Sequence, residues 1–158
     1  MIEHSIKTGL SFGFTSAVIT TLGLMVGLHS GTHSKSVVIG GILTIAIADA
    51  FSDALGIHIS EESELKHSKR EIWESTISTF LAKFLFSSTF LIPVLFFALR
   101  IAVVIGIIWG FLLLTIFSYF LAKQQKESPF KVIGEHILIA AIVIILTHLF
   151  GHWVGKRF

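Results

Sequence analysis

Cysteine is absent from all 158 residues, which removes disulfides and thiolate-ligated metal sites and leaves carboxylate, imidazole, thioether and backbone oxygen as ligands. Charge is scarce too: Asp, Glu, Lys and Arg make up 14% of the chain against 53% hydrophobic residues, which excludes an ordinary soluble domain. No phosphate-cradling glycine loop and no nucleophile–base motif occurs, so nothing points to an enzyme. The formal charge of +2 gives no reason to expect a nucleic-acid partner, because the basic residues cluster between apolar runs.

What fills the chain instead is a succession of apolar runs of about 20 residues, the length a helix needs to cross hydrocarbon. They predict an all-α integral membrane protein with five transmembrane helices forming one domain, at about 9–28, 37–59, 77–99, 101–122 and 132–154. The first run follows MIEHSIK and resembles a signal peptide, but it is too long and no small-x-small cleavage site follows, so it reads as a retained span. A single turn at Arg100 makes the third and fourth helices a hairpin, and Pro93 is expected to kink the third. The longest polar stretch is a short Glu-rich segment at 58–78, into which the second helix is free to extend.

Positive residues favour the cytoplasm. Lys7, Lys66, Lys69, Arg70, Lys123, Lys126 and Lys131 fall on one side, and Lys35, Arg100, Lys156 and Arg157 on the other. That bias puts the N-terminus and the Glu-rich segment in the cytoplasm and the C-terminus outside, in a plasma or inner membrane. Lys83, inside the third helix, does not enter this comparison.

Small residues recur along the first span at Gly9, Gly13, Ser16, Thr20, Gly23 and Gly27, all on one helix face. Membrane helices pack through such residues, so this seam serves either packing within the chain or a homodimer. Gly106 and Gly110 in the fourth span read as internal packing.

Two aspartates, Asp49 and Asp53, stand four residues apart in the second span and therefore share a face. Each costs about 2.5–3.5 kcal/mol at a helix centre, somewhat less off-centre, and each apolar residue of the span returns only about 0.3–0.6. Such a helix persists only if the aspartates face protein, water or a cation. If the second helix continues beyond the bilayer, the same face extends through Gly56, Ser60, Glu64, His67, Glu71 and Glu74, with Glu61 and Glu62 flanking it. Carboxylates with one imidazole suit a divalent first-row metal, so this line reads as a funnel toward Asp49 and Asp53. On the bland reading the glutamates are a solvated face, and the aspartates bond to neighbouring hydroxyls. His148 and His152 share a face of the fifth span, where an imidazole pair binds metal, relays protons or merely sits at an interface. An aspartyl hydrolase is disfavoured, because its two aspartates must face each other across a cleft.

The stretches ITTLGLMVGL, ADAFSDALGIHISEESE and TFLAKFLFSSTFLIPVLF, with Ser-Pro-Phe and ILTHLFG around the fifth span, together resemble the vacuolar iron transporter family. The resemblance implies export of Fe2+ or Mn2+ from the cytosol in exchange for protons. It implies a homodimer with a pathway between the first and second spans, and no permanently bound cofactor. Asp49 and Gly56 match motif positions of the family. Where the family carries aspartate, methionine, glutamate and tyrosine, this chain has Ser16, Asp53, Ile57 and His58. An acid has in effect moved from the first span to the second, which leaves the choice of cation open. A non-transporting metal sensor or assembly factor is the alternative.

Overall fold

The computed structural model describes residues 2–158, with side chains from His4 onward. Its helices are α1 (Ile2–Thr32), α2 (Lys35–Thr44), α3 (Ala50–Ser63), α4 (Lys69–Thr89), α5 (Leu91–Phe96), α6 (Leu99–Gln125) and α7 (Pro129–Arg157). A π-helical turn, Ile45–Asp49, joins α2 to α3. Described residues include no strand, and five helical segments are long and apolar enough to cross a membrane. The expected spans are thus present, each longer at both ends than its apolar run except the third, which starts earlier, at Lys69, and ends at Phe96 rather than at 99. Short polar loops at 33–34, 64–68 and 126–128 separate most of them.

Span 3 breaks where the sequence said it should. Pro93 has no N–H, and its ring crowds the carbonyl four residues back. The helix accordingly interrupts at Phe90, whose N–H falls back on the Ser87 carbonyl at 3.2 Å, and resumes as α5. The connection to α6 passes through Phe97 and Ala98, and Lys35 Nζ caps the end of α5 by donating to the Leu95 and Phe97 carbonyls at 3.1 and 3.2 Å.

Helix α1 is the axis of the bundle, packed against α2, α4, α6 and α7. Its small-residue seam is consumed within the chain. A Cβ at Gly9 or Gly13 would collide with the α4 backbone at Ser75 and Thr79. Gly23, Gly27 and Gly31 lie against Val143, Thr147 and Gly151 of α7. The glycines of the first-span seam are therefore used in packing within the chain. Gly106 and Gly110 of α6 act as expected, making room for the Met25 and Leu22 side chains. Around this axis Phe14 packs edge-on to Phe86 and stacks on Phe117, with ring centroids 4.5 and 4.6 Å apart.

Span 2 stands at the periphery. Gly40, Thr44, Ala48, Ser52, Gly56 and Ser60 follow one another at intervals of four and are all exposed. Cβ atoms built at Gly40 and Gly56 would meet nothing within 4 Å. The open small-residue face of this protein is on span 2.

Candidate functional site

The two aspartates converge on Lys83. Its Nζ lies 2.5 Å from Asp49 Oδ2 and 2.5 Å from Asp53 Oδ2, and donates to Ser16 Oγ at 2.8 Å. The ammonium thus donates hydrogen bonds to Asp53 and Ser16 and forms an ion pair with Asp49. The Lys83 side chain is completely buried, whereas those of Asp53 and Asp49 are 18% and 35% exposed. An unpaired ammonium at that depth would neutralise or unfold the site, so the three charged groups hold one another in place. Two carboxylates and one ammonium leave a formal charge of −1.

Local backbone geometry supports this cluster. In the π turn, Ala50 N–H reaches back five residues to the Ile45 carbonyl, where an α-helix would reach four. One extra residue turns everything beyond it by about 100° relative to an unbroken helix. Asp49 closes that turn and Asp53 follows one turn later, both toward α4. Ser16 supplies the third oxygen from α1.

The glutamate line does not continue from the aspartates. Helix α3 ends at Ser63, Leu65 takes a left-handed conformation with φ 55°, and the chain reverses into α4. Glu71 is buried as the return arm of a capping box: Ser68 N–H and Oγ donate to its Oε2 at 2.8 and 2.9 Å, and Glu71 N–H donates to Ser68 Oγ at 3.3 Å. Glu61 is buried and accepts from Ser75 Oγ at 2.5 Å. Glu74 accepts from Arg70 Nε at 2.8 Å, while its other oxygen is buried without a partner among the described residues. Glu62 and Glu64 are exposed, and His67 Nε2 stands 3.6 Å from Glu64 Oε2. Among the described residues no three Asp, Glu or His side chains are arranged to hold a metal ion. The eight expected ligands are thus split into two groups. Asp49 and Asp53 lie at lipid depth with Lys83, and six residues surround the 64–68 turn in capping, pairing or solvent-facing roles.

Lys83 and Ser16 are the site residues that ligand-type reasoning passed over. The signal for Lys83 was energetic, since a third ionisable group at lipid depth costs about as much as either aspartate and the natural remedy is pairing. The sequence matches no protein-family model and no curated protein.

Proposed function

We propose that this chain is a divalent-cation transporter of the proton-exchanging kind, carrying Fe2+ or Mn2+ out of the cytosol past Asp49 and Asp53. The observation that carries this reading is two carboxylates at lipid depth closing on one fully buried ammonium. Ionisable groups inside spans cluster on ion and proton pathways, and this cluster is able to trade one cation for another. With Lys83 in place and one proton on a carboxylate, the site is neutral. With Lys83 withdrawn and a divalent ion between the aspartates, it is neutral again. Two positive charges occupy the site either way, so cargo and proton replace each other without leaving net charge in the bilayer.

Asp49, about a third exposed even while it pairs with Lys83, is the point of access. It stands beside the open stripe of Ala48 and Ser52, where a second copy of the chain would give it a protein lining instead of lipid. Glu62, Glu64 and the unpartnered Glu74 oxygen offer cation ligands at the Glu-rich end.

Uptake of Mn2+ and Fe2+ into proteoliposomes, with and without a pH gradient, tests the proposal. Gradient-dependent flux supports it, and the absence of flux for both ions contradicts it. A second reading is favoured by the same Lys83. Because its ammonium is held by two carboxylates and a hydroxyl, the triad would equally serve as a fixed ionic clasp in a non-transporting metal sensor or assembly factor. Metal binding at the Glu-rich end without flux would select that reading.

A further inference from the structure

At the end of the bundle remote from the glutamates, four imidazoles gather where α1 and α7 finish. The His29 and His33 rings meet edge-on with centroids 5.4 Å apart. His148 and His152, one turn apart on α7, are nearly parallel at 6.3 Å. Ser30 Oγ and His148 Nδ1 bridge the helices at 2.6 Å. His29 Nδ1 is buried and has no partner among the described residues. Arg100, at the start of α6, and His148 both lie within electrostatic reach of His29.

The remaining charged groups at this end are also basic. Lys35 on α2 is engaged with the α5 carbonyls, and Lys156 and Arg157 occupy the last turn of α7. No Asp or Glu occurs in 4–48, 75–126 or 136–158, the stretches that build this end. A proton taken up by any of the imidazoles therefore adds positive charge that no Asp or Glu side chain of these stretches offsets. The contact it would strain is made mainly of backbone: a Cβ at Gly31 would lie 3.0 Å from the Gly151 carbonyl oxygen, and one at Gly155 would strike the Gly31 carbonyl. Side chains interlock little there, so van der Waals contact and the single Ser30–His148 hydrogen bond are what resist separation. The Ser30–His148 bond forms in either protonation state because a hydroxyl both donates and accepts, which leaves charge as the operative change.

We propose that the converging ends of α1 and α7 form a proton-operated latch, closed when His29, His33, His148 and His152 are neutral and parted when they are charged. The latch works whether or not the chain transports metal.

Because the chain has no cysteine, paired labels at Thr32→Cys and Leu149→Cys report this separation directly. Spin-label distances in nanodiscs, followed from pH 8 to pH 5, should lengthen by about 2 Å or more across the range in which imidazole titrates. The His29→Gln/His33→Gln/His148→Gln/His152→Gln variant should stay at the short distance throughout. A wild-type distance that does not change with pH overturns the latch, as does a quadruple variant that still lengthens. If the quadruple variant does not fold, the His29→Gln/His33→Gln and His148→Gln/His152→Gln variants should each shrink the change. A full-sized change in both overturns it.

Discussion

Replacing Lys83 with methionine keeps an unbranched side chain only one atom shorter and deletes its charge. In the folded protein the substitution would leave Asp49 and Asp53 facing each other at lipid depth with only Ser16 nearby. Removing one partner from a buried ionic group costs about 3–5 kcal/mol, because the remaining charge is stranded. Asp49 is a third exposed and partly screened, which draws the expectation to about 3–4 kcal/mol. That is roughly two to three powers of ten in the folding equilibrium. Neutralising the whole triad, in Lys83→Met/Asp49→Asn/Asp53→Asn, should recover most of the loss, since a fully replaced buried ion pair is often near neutral. Unfolding by denaturing detergent, followed through the fluorescence of Trp73, Trp109 and Trp153, measures both variants. A Lys83→Met protein within about 0.5 kcal/mol of the wild type, or a triple variant no better than the single, would refute the pairing argument.

Other expectations concern packing, assembly, capping and flux. Gly13→Val should lose about 1–3 kcal/mol or more by pushing α1 off Thr79, whereas Gly40→Val, which meets nothing within 4 Å, should lie within about 0.5 kcal/mol of wild type; thermal melts compare them. Gly56→Leu should leave the monomer folded and weaken self-association in lipid, read by single-molecule photobleaching, while an unchanged dimer fraction would remove span 2 from the interface. Ser68→Ala should cost about 0.5–2 kcal/mol through lost capping of α4 and leave metal flux intact, so a matching loss of flux would give Ser68 a role beyond the cap. Asp49→Asn/Asp53→Asn should abolish gradient-driven Mn2+ uptake in proteoliposomes, and wild-type rates would withdraw both residues from the pathway.

The five spans were legible because a bilayer demands long apolar runs, and nothing else in the chain competes with that signal. Their ends were not, because the helices continue through interfacial polar residues such as Lys69, Lys123 and Lys156. The break at Pro93 could be read from one residue; the π turn before Asp49 could not, since no residue type marks it. Joining Asp53 to Glu74 along one face assumed an unbroken helix. The Ser68–Glu71 pair already announced a new helix N-terminus, and it is this cap that turns Glu71 away from ligand duty. Small-residue spacing located seams correctly in α1 and α6 but could not say which surface each would meet. The equally regular series from Gly40 to Ser60 carried the same signal and is the one left open. As for the site, the aspartates could be found by their cost alone, and the same cost, applied to Lys83, would have found their partner.

Whether Lys83 stands in for a cation is tested most directly by calorimetric titration of Mn2+ into wild-type and Lys83→Met protein in the same nanodiscs, with Lys83→Met/Asp49→Asn/Asp53→Asn as reference. Removing the ammonium should tighten Mn2+ binding at least tenfold over wild type, and the triple variant should lose that gain. Equal affinities in wild type and Lys83→Met, or a gain that survives loss of both aspartates, would contradict the exchange of lysine for metal.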